Sequence, residues 1–378
     1  MKAEGQGMND LAARVIDLAV QIQQVPAPTF GEARRAEFIE RLLRRERKGL
    51  KNICIDETGN VLARLVGQGN GKPLIVSAHM DTVFPADTDL SITRQAQRIQ
   101  GPGLGDNSLG VAALFGLLWS VRERNIPLGG DIWFVANVCE EGLGDLRGMK
   151  AVVDRFGAGV RAYLILEGLA LGHVYHRAVG VKRYRVTAHT SGGHSWSDFG
   201  QPSAVHELAR LVVQLTSLEL PSLPRTTMNV GKIAGGTSVN VIASEATLDL
   251  DLRSEGQESL TKLVLAVEKL IQTTNANRPG VTLEAEVIGQ RPAGEMSPKH
   301  PLVKLGEECL REQGLDATLI TGSTDANVPL SMGYPAIVLG VTTGGGAHTK
   351  QEYINIEPVA KGMEQLVSFV GKAWDTRD

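Results

Sequence analysis

Apolar residues at Leu11, Val15, Leu18 and Ile22 recur at helical spacing, which predicts an amphipathic first helix. Asn9 or Asp10 is its expected N-cap and Pro26 its stop. A second helix is expected from about Glu32 to Glu46, with Phe38, Ile39, Leu42 and Leu43 on its apolar side. The pattern then shifts to short β-rich runs at Asn60–Val66, Leu74–Ser77, Ile132–Val138 and Tyr163–Leu166. Helices near Ser108–Arg124 and Gly148–Arg155 fall between some of them. Strands alternating with helices imply an α/β sheet covered on both faces.

The character changes near Leu171. His173–Thr190 reads as two β segments around Gly180, followed by a helix at Ser203–Thr216. Strands at Thr227–Ile233 and Asn240–Leu252, a helix at Gln257–Thr273 and a strand at Val281–Ile288 complete the segment. That order suits an antiparallel sheet with two helices on one face. After Arg291-Pro292 the earlier pattern resumes, with helices at Pro301–Gln313 and Pro358–Trp374 and a strand at Ala336–Val341. The expected architecture is one α/β domain, residues 1–172 and 291–378, interrupted by an α+β module at 173–290.

Composition narrows the function classes. With 42% hydrophobic and 21% charged residues among 378, the chain is not disordered. Net charge is −3, which suggests no polyanion partner. The basic run Arg41, Arg44, Arg45, Arg47, Lys48 shares the second helix with an apolar side, so a solvated helix face is expected rather than a nucleic-acid patch. Cys54, Cys139 and Cys309 are odd in number and widely spaced, as in a reducing compartment. The polar N-terminus has no secretion-signal pattern, and no uninterrupted apolar run reaches the roughly 18 residues of a membrane span. A soluble, cytoplasmic protein is expected. Glycine is the outlier: 43 residues, or about 11%, against a usual 7% or so.

Candidate chemistry lies where strands end. The run Leu74-Ile75-Val76 leads to His79 and Asp81, and Ile132–Val138 runs into Cys139-Glu140-Glu141. Tyr163–Leu166 ends in Glu167, and Ala336–Val341 leads through Gly344-Gly345-Gly346 to His348. In open α/β sheets the C-terminal edge of the strands is where ligands bind. Asp106, in Gly103-Leu104-Gly105-Asp106-Asn107-Ser108, is a fifth candidate that would otherwise be a helix N-cap. A GxGxxG reading fails there, because Asp106 stands where a glycine is needed. Two imidazoles with three carboxylates form a donor set suited to zinc. A bridging carboxylate would let two ions about 3.5–4 Å apart share a water. Of Glu140 and Glu141, one would then ligate and the other accept the water's proton, while Asp81 orients the His79 imidazole.

These segments resemble the dinuclear zinc amidohydrolases that include glutamate carboxypeptidase, tripeptidase T, acetylornithine deacetylase, succinyl-diaminopimelate desuccinylase and the aminoacylases. Ser77-Ala78-His79-Met80-Asp81-Thr82-Val83, Gly105-Asp106-Asn107, Glu140-Glu141-Gly142, Leu166-Glu167 and Gly346-Ala347-His348-Thr349 carry the resemblance, in the family's order. It implies one zinc on His79 and Glu167, a second on Glu141 and His348, and Asp106 as bridge. Glu140 would be the general base and Asp81 the orienting carboxylate. Co²⁺ or Mn²⁺ are possible substitutes for the two Zn²⁺.

By the same resemblance the inserted module is a lid or dimerisation domain. Gly192-Gly193-His194-Ser195 matches a segment whose histidine stabilises the oxyanion, often across a dimer interface. The segments 235–242 and 249–253 match those supplying Asn240 and Arg253 to a substrate carboxylate. Asn107-Ser108 and Cys139 depart from the family pattern, though neither removes a ligand. Asp325, in Ser323-Thr324-Asp325-Ala326-Asn327, either supports the pocket or caps a turn. His173, His176, His189, His206 and His300 are expected to be structural.

The resemblance implies a metallopeptidase acting on short peptides, of di-/tripeptidase or carboxypeptidase type. The alternatives are an N-acyl amino acid deacylase and, from another class, a metal- or amino-acid-binding protein without turnover. A homodimer is expected, with no nucleic-acid or membrane partner.

Overall fold

The computed structural model describes residues 2–376. The chain divides into two compact units, Met1–Ala178 with Glu295–Asp378, and Val179–Gly294.

The first unit is built on a mixed sheet with helices packed against it. Its central strands run Gly130–Asn137, Gly71–His79, Ala162–Glu167 and Ala336–Gly340 in spatial order, each parallel to the next. Leu74, Ile75, Val76, Leu164, Ile165, Val338 and Leu339 are fully buried. That is why these strands read as unbroken apolar runs rather than as alternating ones. Antiparallel strands Val61–Leu65 and Leu50–Ile55 extend one side.

The helix Leu109–Glu123 is buried along most of its length. By length and composition Leu104–Glu123 could cross a membrane, but 89% of its apolar window is buried inside the protein, as in a core helix. The first helix runs Lys2–Gln23, so neither Asn9 nor Asp10 caps it. It starts about two turns before the expected cap and runs through Gly5 and Gly7, so local helix propensity does not explain the earlier start. On the second helix, Ala33–Arg45, Arg44 pairs with Glu40 at 2.7 Å, as on a solvated face.

The second unit has an antiparallel sheet ordered Thr226–Gly235, Glu245–Ser254, Gly180–Thr190, Val281–Arg291. Helices Ala204–Thr216 and Gln257–Asn277 pack on one face, where Leu248, Leu250 and Leu252 meet Leu208, Leu211, Leu263 and Val267. Arg183, Asp251 and Arg253 form ion pairs on the opposite face, and so do Arg185 and Asp249.

Two expectations differ in detail. Asn240–Leu252 is not one strand: Val241–Ile242 pairs with Gly193–His194, and a new strand starts at Glu245. The break is held at the Ala243 carbonyl, which accepts hydrogen bonds from the Ala204 N–H (2.8 Å) and the Thr190 hydroxyl (2.9 Å). The strand His173–Ala178, whose alternation suits the inserted module, belongs to the large sheet. There it pairs with Thr318–Gly322 and Ala336–Gly340. Alternation alone cannot say which sheet a strand joins.

Candidate metal centre

Four adjacent parallel strands deliver their C-terminal ends to one edge of the large sheet. His79 and Glu167 are the last residues of their strands, and Glu140 and Glu141 follow Asn137 closely. His348 lies in the loop after Gly340. A small sheet fastens this loop, because Tyr353–Asn355 pairs with both Gly344–Gly345 and Arg98–Gln100. Asp106 sits on a non-helical turn (φ −113°, ψ 91°) ahead of the core helix. It is not the N-cap, a position held by Ser108.

The Asp106 carboxylate stands between the two imidazoles. Its Oδ1 is 3.1 Å from His79 Nε2, and its Oδ2 is 3.0 Å from His348 Nε2. Glu167 lies 3.8 Å from the same His79 nitrogen, and Glu141 3.2 Å from that of His348. Donor atoms of His79, Asp106 and Glu167 lie within 4.8 Å of one another, as do those of Asp106, Glu141 and His348. Glu140 forms a third such group with His79 and Glu141. Two three-donor groups sharing one carboxylate offer imidazole nitrogen and carboxylate oxygen, the chemistry of a borderline divalent ion pair.

Electrostatics favour cations here. Burial pushes the Glu167 carboxyl well above its ordinary range, and the charges of Asp106, Glu140 and Asp325 reinforce this against His79. Burial opposes ionisation of Asp106 too, but hydrogen bonds from His348 and His79 prevail and hold it well below the usual carboxylate range. For His79, burial is outweighed by hydrogen bonds to Asp106 and Asp81, so its pKa is raised well above normal. His348 is pushed up to about 10 by its hydrogen bonds to Asp106 and Glu141. Its pKa is thus higher folded than unfolded. The protonated ring therefore stabilises the metal-free protein fully below about pH 6.5, and this is lost as pH rises through about 10. Thermal melts in chelator should fall across that window. Metal-loaded protein should not follow, because ligation requires neutral imidazole. A metal-free melting temperature that stays flat across the window would contradict this.

Asp81 is fully buried and lies against both the His79 ring and the acid pair. His79 Nδ1 lies 3.2 Å from its carbonyl oxygen and 3.5 Å from its carboxylate. The carboxylate also accepts the backbone N–H groups of Glu140 (2.9 Å) and Glu141 (3.0 Å), so one residue sets both imidazole and acid pair. Arg35, also buried, donates to the Met80 carbonyl beside it at 2.8 Å.

Asn107 explains its departure from the family pattern. Its amide donates to the Leu166 carbonyl and accepts from the Gly168 N–H, both at 2.9 Å, tying the Asp106 turn to the Glu167 strand. An ionised aspartate could not make the first bond. The approach is close enough to require glycine. A Cβ at Gly110 would lie 2.1 Å from the Asn107 amide oxygen, and one at Gly168 1.9 Å from the Gly105 carbonyl oxygen.

Asp325 is fully buried and accepts the Asn137 amide at 2.7 Å, which links it to the end of the strand ahead of Glu140 and Glu141. Cys139 is held in a left-handed conformation (φ 58°) by Glu32, which accepts both its N–H and its thiol. Burial and that carboxylate push the thiol up to about 12. His176 contacts the Met296 carbonyl, and His300 caps the helix Pro301–Glu312.

Sequence reasoning missed Asn137, Arg35 and Glu352. None belongs to a recognisable motif; buried polar type beside a motif was the available signal.

His194, Asn240 and Arg253 lie in the second unit. His194 Nδ1 accepts from the Trp196 N–H at 3.2 Å, leaving its proton on Nε2. Strand pairing brings the His194 segment beside Asn240, whose carbonyl accepts the Ser195 N–H at 3.0 Å. Arg253 is not with them. It bonds Asp251 at 2.6 Å, eight residues along the strand from Glu245, or roughly 26 Å at about 3.3 Å per residue.

The family model described as peptidase family M20/M25/M40 matches residues 75–372. The chain belongs to this family of hydrolases. It shares 24% identity over 345 residues with an acetylornithine deacetylase of Buchnera aphidicola, covering 84% of this chain and 86% of that one. A tripeptidase structure from Staphylococcus aureus is similar with a TM-score of 0.82 at 22% identity, over 97% of this chain and 99% of the other. A Bacillus subtilis structure described as a dinuclear metal-binding M20 peptidase gives 0.71 at 15% identity, over 97% and 99% of the two chains. The family is a metal-binding peptidase and amidohydrolase class, and the fold is theirs.

Proposed function

We propose that this protein is a dinuclear zinc metallopeptidase cleaving amide bonds of short peptides. The carrying observation is the Asp106 carboxylate set between His79 and His348, with Glu167, Glu141 and Glu140 around them. His79 and Glu167 would hold one ion and Glu141 and His348 the other, with Asp106 on both. When bound, the ions supply Lewis acidity that polarises the amide carbonyl and acidifies water. Glu140 then takes the proton of the attacking water and returns it to the leaving amine. Asp81 fixes the backbone of Glu140 and the ring of His79, so neither must reorganise during the reaction.

In this reading the unit Val179–Gly294 is a lid and dimerisation module. His194 donates from Nε2 to the developing oxyanion, while Asn240 and Arg253 hold the substrate carboxylate. The placement of Arg253 far along the strand Glu245–Ser254, with His194 and Asn240 beyond its other end, supports a homodimer. A small substrate touching both groups would draw them from two chains. Free thiols at Cys54, Cys139 and Cys309 suit a cytoplasmic location. The charge balance gives no reason to add a nucleic-acid or membrane partner.

Similarity to an acetylornithine deacetylase supports a second reading, hydrolysis of N-acyl amino acids. A panel of dipeptides, tripeptides, C-terminally amidated peptides and N-acetyl amino acids, assayed with and without chelator, decides between them. Chelator-sensitive cleavage of free-carboxylate peptides is expected. Cleavage confined to N-acetyl amino acids would establish the deacylase instead. Two bound ions without turnover on any substrate would leave only a binding protein.

A further inference from the structure

Glu352 is fully buried four positions after His348, and its carboxylate faces the turn that carries Asp106. Its Oε1 accepts the N–H groups of Gly105 (2.7 Å) and Asp106 (2.9 Å), and its Oε2 that of Gly103 (3.0 Å). Its own carbonyl accepts the Gly101 N–H at 2.9 Å. Two loops separated by nearly 250 residues of chain therefore meet at this side chain. One supplies His348 and the other Asp106.

The turn is non-helical at Asp106 and Asn107, and few backbone bonds close it, among them Ser108 N–H to the Gly103 carbonyl at 3.3 Å and Leu109 N–H to the Leu104 carbonyl. Three convergent N–H groups on one carboxylate add to these bonds and to those of Asn107. A buried carboxylate is a costly way to satisfy backbone donors unless its charge is used. Here burial pushes the carboxyl up to about 7 while the backbone N–H groups pull it down, and the group sits directly behind the residue shared by both donor groups.

We propose that Glu352 is a positioning residue for the metal pair, locking the Asp106 turn to the His348 loop at the spacing a shared carboxylate requires. This rests on the reading of Asp106 as common ligand. In Glu352→Gln the side chain keeps its size, but its NH₂ must face a backbone N–H. The turn loses part of its anchor and both ions lose affinity together.

The test titrates Zn²⁺ against a competing chelator in wild type, Glu352→Gln and Asp106→Asn, and records Co²⁺ absorption spectra of each. Glu352→Gln should bind both ions about 10–100-fold more weakly, the usual size of an outer-sphere effect. Its Co²⁺ spectrum should change while the metal-free protein remains folded. Wild-type affinity and spectrum in Glu352→Gln, with metal lost from Asp106→Asn, would overturn the positioning role and leave the ligand reading standing. So would lowered metal-free stability with unchanged affinity. Wild-type binding by Asp106→Asn would instead remove the ligand reading, and the proposal with it. Should Glu352→Gln fail to fold, Glu352→Asp serves, since it keeps the charge but falls short of the three N–H groups. Weaker binding supports the proposal and unchanged binding overturns it.

Discussion

Replacing Glu140 with Gln lowers kcat by about 10²–10⁴ while two metal ions stay bound. The side chain is nearly isosteric, and the backbone N–H that anchors it to Asp81 at 2.9 Å is untouched. His79, Asp106, Glu141, Glu167 and His348 all remain. What disappears is the only property the substitution alters: the capacity to take a proton and hold it for the leaving amine. Stopped-time assays on a cleaved peptide, with metal analysis of the same sample, measure both quantities. Normal turnover would move the base elsewhere in the site. The same variant probes the proposed shared dimer. In a heterodimer of Glu140→Gln and His194→Ala chains, one site keeps both native residues and the other loses both. Random mixing then makes half the dimers mixed, each with one working site, so about a quarter of wild-type activity should return. No recovery after confirmed subunit exchange would confine His194 to its own chain or to no role.

Asp106→Asn should be as damaging by another route. One carboxylate stands 3.1 Å from His79 and 3.0 Å from His348, and no second residue has both as neighbours at such distances among the described residues. An amide offers a single acceptor oxygen and no charge. Removing one member of a buried charge cluster costs about 3–5 kcal/mol, which corresponds to roughly a 10²- to 10⁴-fold loss of metal affinity. Both equivalents should weaken, and activity at limiting metal should fall with them. Elemental analysis after dialysis against a weak chelator reports the stoichiometry. Two tightly bound ions in this variant would show that the bridge lies elsewhere. The variant also separates the two carboxylate roles. Glu140→Gln holds metal without turnover, whereas Asp106→Asn fails at the earlier step.

Much of the site was legible because its signals are local. Each strand announces itself by an apolar run, and the run says where its C-terminal end falls. A His or Glu just past that end is thus visible before any folding. The alternation of Glu245–Ser254 and the spacing of Ala204–Thr216 are equally local, and so the second unit's sheet and helices could be read with small boundary shifts. Where local signals compete, they do not decide an element's boundary. Asn9 and Asp10 resemble caps, yet the helix runs past them to Lys2.

By itself the sequence determined which residues carry imidazole or carboxylate at strand ends, and in what order. It also determined that apolar strands buried on both faces must lie at the centre of the large sheet. Tertiary structure alone decided which of those ends lie side by side. It brought Asp106 between two histidines distant in the chain, joined Glu352 to a turn nearly 250 residues away, and set Asn107 against Leu166 and Gly168. It also drew His173–Ala178 into the large sheet and left Arg253 far along its strand from His194. The physical reason is one of range. Periodicity and turn chemistry record what a residue does with its near neighbours, whereas hydrogen bonds to distant backbone leave no periodic trace. Those are the bonds that hold this site's donors in place.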